Sequence, residues 1–144
     1  MSAEDGSISL PFGDEEYTFR IAFGQWRELQ ENINKPRLEA GLPYVGPAAL
    51  IQLLFSMNAW PNEIREVIRL GLIGGGMKAD RALVLVKQHV ENQPHFANTL
   101  LAGKIVKTAM FGPDEDPAGK EPAPAAETAT DASSSPPSTG PVLQ

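Results

Sequence analysis

Two apolar periods divide this chain, and the point where one gives way to the other limits what it can fold into. In "ISLPFGDEEYTFRIAF", Ile8, Leu10 and Phe12 alternate with other residues, and Tyr17, Phe19 and Ile21 do the same. That alternation belongs to a strand with one buried face. Gly13-Asp14 between the runs marks a turn, and Pro11 suits a strand edge or end. The spacing predicts a two-stranded hairpin over about 7–12 and 16–22. A lone hairpin is marginal in water, so it must pack on something.

From Trp26 onward the apolar residues recur at three and four, the period of helices. "GQWRELQENIN" places Trp26, Leu29 and Ile33 on one face, and "KPRLEAGLPYVGP" reads as a proline-rich loop. "AALIQLLFSMNAW" is apolar almost all round and predicts a central buried helix. "PNEIREVIRLGLIGGG" carries Ile64, Val67, Ile68, Gly71 and Leu72 on one face, with Asn62 as the expected N-cap. "ADRALVLVKQHVENQ" repeats the pattern through Ala79, Ala82, Leu83, Val86 and Val90. Pro94 opens a last helix that Gly112 ends. The expected fold is mainly α: a small helical domain of about five helices with an N-terminal two-stranded β-hairpin, then a disordered C-terminal tail. Its expected parts are a flexible N-terminus over 1–6, the hairpin and helices over 7–112, and the tail over 113–144.

The tail follows from composition. Residues 113–144 hold seven prolines, six acidic residues and one basic one, with almost nothing large and apolar before Val142 and Leu143. Such a stretch cannot bury enough surface to offset its ordering entropy. It carries −5 of the net −6, leaving a body near neutrality with 12 acids and 11 bases. A body so balanced lacks the basic footprint of a nucleic-acid binder. The chain has no cysteine, which excludes disulfides, thiolate-ligated zinc and a cysteine nucleophile. The start "MSAEDGSISL" has no signal-peptide pattern, and the apolar run from Ala48 to Trp60 falls short of the ~20 residues that span a bilayer.

The glycines of "RLGLIGGGMKAD" invite comparison with a phosphate loop. A P-loop needs G-x-x-x-x-G-K-[ST] after a buried strand. Counted from Gly71, the second glycine is Gly76, but Met77 stands where lysine is required and Ala79 replaces the hydroxyl. The segment before the glycines is helical, so they lie at the negative end of a helix dipole, which repels phosphate. They read as a helix stop and a flexible corner. His89 and His95, six apart with Pro94 between them, match no common zinc spacing. Glu28/Glu31 and Glu63/Glu66 sit at helical spacing beside arginines and read as solvated faces. No G-x-S-x-G elbow is present. The expectation is therefore no catalytic set, no cofactor and no metal. Apolar surface remains. The helix from 95 to 111 is apolar over a wide arc, and Phe96, Leu100, Lys104, Lys107, Met110 and Phe111 form a candidate surface for a partner helix. Met110 would suit an adaptable groove, and the lysines would flank it.

The order of parts resembles a known family. A short hairpin, then "YTFRIAFGQWRELQE", a loop, "IREVIRLGLIGGG" and a helix pair closing in "LLAGKIVKTAMFG" are similar to the gene-transfer-agent-type phage tail proteins, variously described as tail assembly chaperones or tail tube proteins. The resemblance covers about 8–112 and rests on Tyr17, Phe19, Leu29, Ile68, Gly71 and Leu72. It departs in a longer proline-rich loop over 34–47 and in the acidic tail. It implies a non-enzymatic role in tail morphogenesis. The first expectation is a chaperone that keeps the helical tape measure protein soluble in the host cytoplasm. The alternative is a tail tube component present in the finished particle, which the few strand signals make second choice. The implied partners are the tape measure protein and the tail tube protein, with no nucleic acid and no membrane, and self-association is left open.

Overall fold

The computed structural model describes residues 4–113. The chain separates into two units, Met1–Pro113 and Asp114–Gln144, and the expectation for the acidic tail lies outside the described residues. Strand β1 (Ile8–Phe12) pairs antiparallel with β2 (Glu15–Phe19), with Ile8 opposite Phe19 and Leu10 opposite Tyr17. Directly opposed residues share a face of a sheet. The inner face is therefore Ile8, Leu10, Phe12, Tyr17 and Phe19, and its aromatic rings meet edge to face: Phe12 lies 6.1 Å from Tyr17 and 6.0 Å from Phe19. The outer face carries Ser9 and Thr18, whose hydroxyls are 3.0 Å apart. Of the lead-in expected to be flexible, Asp5 and Gly6 lie at the hairpin's base. Arg20 Nε donates to the Asp5 carbonyl at 3.1 Å, and Gly6 sits against Ala109.

Five α-helices follow: α1 (Phe23–Glu39), α2 (Pro47–Phe55), α3 (Pro61–Gly74), α4 (Ala79–Val86) and α5 (Thr99–Phe111). Helix α3, not α2, is the centre. Its Ile64, Val67, Ile68, Leu70 and Leu72 are all buried, and it packs against α1, α4, α5 and β2. Each such side chain contributes about 1.5–3 kcal/mol by leaving water. The expectation of a central buried helix over 48–60 is thus corrected. Helix α2 stops at Phe55, buries only Leu50 and Leu54, and packs one face on α5. Continuous apolarity misled because the opposite face stays open; Ala48, Ala49 and Phe55 are exposed. Beyond it, Met57 takes a left-handed conformation with φ of 62°, which ends the helix.

Helix α1 runs through Pro36, where the sequence predicts a loop. A proline inside a helix removes one backbone bond and costs about 3 kcal/mol. Tertiary contacts offset it: Arg37, in the last turn, is buried against Glu63. The true loop, 40–46, is pinned by Asn34. Its amide donates to the Val45 carbonyl at 3.0 Å, and its side-chain oxygen accepts from the Val45 N–H at 2.7 Å. At the other end of the chain the expected helix over 79–93 widens into a π turn, Lys87–Glu91. A 3-10 turn, His95–Asn98, precedes α5. Gly112, with φ of 80°, stops α5.

Candidate interaction surface

The paired carboxylates of α3 are not a solvated face. Glu63 is 1 % exposed. It accepts from the Trp60 N–H at 2.8 Å, which makes it, rather than Asn62, the side chain that caps α3. It also accepts both guanidinium bonds of Arg37, Nη2 at 3.0 Å and Nε in a shorter contact. The charge-assisted bond to Glu63 holds the Arg37 guanidinium above its ordinary pKa. Glu66, also buried, accepts from Arg69 Nη2 at 2.7 Å, Arg65 Nη1 at 2.6 Å and Asn32 Nδ2 at 2.8 Å. Burial pushes its carboxyl pKa up, but the bonds from Arg69 and Asn32, with the charges of Arg69 and Arg65, outweigh burial and hold it below the ordinary value. The bond to Glu66 in turn raises Arg69. Helical spacing shows that these charges share a face but cannot show that α1 covers that face. Every oxygen is occupied by a base or an amide from the protein itself, so the cluster joins α1 to α3 and presents no poised proton donor.

The glycines end α3 as the sequence predicts, with Gly75 as the cap. Gly74 and Gly75 are held in close backbone contact, while Gly76 stands in open space. A Cβ on Gly74 would stand 1.8 Å from the Arg20 carbonyl oxygen, and one on Gly75 would stand 2.1 Å from that of Thr18. The Arg20 N–H donates to the Gly71 carbonyl at 2.9 Å. Glycine is required because two backbones touch. His89 packs edge to face on Phe12 at 5.4 Å, while His95 is exposed on the 3-10 turn. Among the described residues no group of three or more histidine or acidic side chains is placed to hold a metal ion.

The six residues expected to receive a partner divide among three places. Leu100, Lys104, Lys107 and Phe111 recur at four, three and four and form one exposed stripe along α5. Met110 turns aside into a groove of about 260 Å³, where it meets Phe23 and Trp26 of α1, Tyr44 of the loop and Pro47 at the start of α2. Phe96, 63 % exposed, belongs to a separate apolar corner with Met57 and Trp60. Sequence reasoning missed Phe23 and Tyr44, because neither falls on a helical stripe with Met110. The groove exists because Asn34 folds the 40–46 loop back along α1. On the α2–α5 side, no charged residue occurs in 47–58, and only Lys104 and Lys107 carry a full charge in 92–113.

A family model described as "Phage tail tube protein, GTA-gp10" matches residues 5–112. The chain belongs to this phage tail protein family. Comparison with curated proteins and with solved structures gives no match. The function is accordingly tail-related and of the gene-transfer-agent type. The matched span coincides with the hairpin and the helices. Of the residues that carry the resemblance, Phe19, Leu29, Ile68, Gly71 and Leu72 are buried and Tyr17 is half-buried. A Cβ on Gly71 would lie 3.2 Å from Ile105 and 3.3 Å from Phe19, so hairpin, α3 and α5 converge there. These residues carry the architecture of the tail protein. No helix among the described residues is long and apolar enough to cross a membrane.

Proposed function

We propose that the chain is a structural component of the phage tail, built into the tail tube and retained in the finished particle. The observation that carries this is the family match over residues 5–112, described as a tail tube protein. A tube subunit must offer surface to neighbours on more than one side. The exposed apolar side chains of α5, the α1–α2 groove and the Trp60 corner meet that need. The shortage of strands weighs less than it did in the sequence, because neither β1 nor β2 has a second strand partner among the described residues. The outer edge of β1 is of the kind that pairs between chains, whereas the backbone of β2 lies against Gly75 at the end of α3. On this reading the protein is not an enzyme, needs no cofactor, and is made in the host cytoplasm before it enters the tail. Quantitative mass spectrometry of purified particles tests it. Many copies per particle are expected; presence in the lysate with absence from particles would overturn it.

The Met110 groove favours a second reading, an assembly chaperone for the tape measure protein. It is lined almost wholly by apolar side chains and is small enough for one or two side chains of a docked helix. Co-expression with the tape measure protein would then raise the soluble yield of that protein, and Met110→Asp would remove the gain.

A further inference from the structure

One wall of the Met110 groove is held differently from the rest. Trp26 and Ile33 of α1, Leu50 of α2 and Met110 of α5 sit on helices. The facing wall is Tyr44, Val45 and Gly46, which lie between α1 and α2. The Leu42 N–H donates to the Arg37 carbonyl at 2.8 Å and closes the end of α1, and the Gly46 carbonyl accepts from the Leu50 N–H at 2.9 Å and opens α2. Between those points, Pro43, Tyr44 and Val45 join in no hydrogen bond among the described residues except the two that Asn34 makes with Val45. Leu42, Pro43 and Tyr44 are exposed, and Val45 alone is buried. Glycines stand at both ends. Gly41, with φ of 77°, and Gly46 each have open space where a Cβ would be, so no side-chain contact resists rotation there.

We propose that residues 42–46 are a hinged wall that gates this groove, with Asn34 as its latch. Asn34 is buried on α1, and its Nδ2 also donates to the Gln30 carbonyl at 3.0 Å. Its amide is therefore aimed from within its own helix, whether or not Val45 is seated. Releasing the wall breaks two hydrogen bonds and withdraws one buried side chain. A segment with so few buried contacts and hydrogen bonds opens locally, well before the molecule unfolds as a whole. When the wall swings out, Leu29, Ile33 and Leu50, all buried in the closed form, become accessible at the floor of the groove. The volume of about 260 Å³ is then the closed limit of an adjustable space. An apolar side chain too large for the closed groove can enter without displacing a helix. The gate does not depend on the tail tube reading, since it concerns the groove whichever chain fills it.

Native-state hydrogen exchange of the full chain, followed by NMR at low urea, tests the gate. The Val45 N–H, bonded to Asn34 Oδ1, should be protected about tenfold less, or weaker still, than the Ile68 N–H in the middle of α3. Its exchange should also be insensitive to low urea, because a local opening exposes little surface. A second measurement ties the movement to the groove. In a Trp60→Phe background Trp26 is the one remaining tryptophan, and it lines the groove. Adding Asn34→Ala releases the latch, and acrylamide should then quench Trp26 about twice as strongly. Retained protection of Ile68 checks that this variant is folded. Val45 exchanging at the rate and with the urea dependence of Ile68 would overturn the gate, since the loop would then open only on global unfolding. Unchanged quenching of Trp26 in the folded variant would overturn it too, because the loop would move without uncovering the groove. If Asn34→Ala does not fold, the urea dependence of Val45 in the wild type still decides.

Discussion

The seam between α1 and α3 and the seam between α2 and α5 solve the same packing problem with opposite chemistry. The first is closed by charged and polar groups, through Arg37 on Glu63, Asn32 on Glu66 and Arg69 on Glu28, with Arg65 and Arg69 holding Glu66 from its own helix. The second contains no ion pair among the described residues. It is closed by Leu50 and Leu54, by the ring of Phe55 over Gly103, and by one hydroxyl, Thr99 Oγ1 donating to the Leu54 carbonyl at 3.0 Å. A charged seam tolerates one arrangement, since any slip strands a charge in low dielectric. An apolar seam tolerates small slips, because dispersion contacts are non-directional. The molecule has placed its adaptable seam beside the groove and the α5 stripe, and its exacting one where the centre of the fold is set.

The largest way to break that contrast is Arg37→Met, which leaves Glu63 buried with no base. A loss of about 3–5 kcal/mol is expected, measured by urea unfolding. Leu54→Ala, in the other seam, removes apolar volume only and should cost about 2–4 kcal/mol. Its cost should not change with pH. Acid titration sharpens the same point. The folded-state pKa of Glu66 is depressed, so its contribution is fully present above the ordinary value of 4.5 and is lost as pH falls through the folded value. Thermal melts of Glu66→Gln should therefore be flatter than wild type below about pH 4.5. If both have the same acid slope, the α1–α3 seam is not the acid-sensitive one. Arg37→Met combined with Glu63→Leu removes both charges together. It should recover most of the single-variant loss, leaving about 1 kcal/mol for the α3 cap that Glu63 also supplies. The smallest effect is expected at Gly103→Ala. Its Cβ would meet the end of the Phe55 ring at 2.9 Å. That ring is partly exposed and can swing, and alanine favours the helix, so the net change should stay within about 1 kcal/mol of zero.

The contrast also explains which parts of the structure were legible in the sequence. Periodicity reports which residues of one element turn inward. It therefore gave the hairpin, the buried faces of α1 and α3, and the stop at Gly112, but on α4 it counted the exposed Ala79 and missed the buried Leu85. It could not distinguish a helix buried on all sides from one such as α2, whose apolar surplus is left open. It also says nothing about what another element places opposite. Glu63 and Glu66 looked solvated because Arg37 is 26 residues from Glu63, and nothing in the local pattern at Pro36 showed that α1 reaches that far. The candidate surface was half legible. The α5 stripe follows from spacing alone, whereas the groove needs Asn34 to bring Tyr44 and Pro47 beside Met110. The Gly74–Gly75 pair was placed correctly at a helix end, but its steric reason lies at Thr18 and Arg20, more than fifty residues away.

That glycine contact has a consequence for biogenesis. The hairpin leaves the ribosome before α3, yet its last strand is fastened by the Gly71 carbonyl and shaped to the backbone of Gly74 and Gly75. At typical elongation rates of about 5–20 residues per second, it waits several seconds for its anchor to be synthesised. During that interval the nascent chain exposes Phe12 and Phe19 together with two unpaired strand edges, which makes translation the time when this protein has most need of a holding factor.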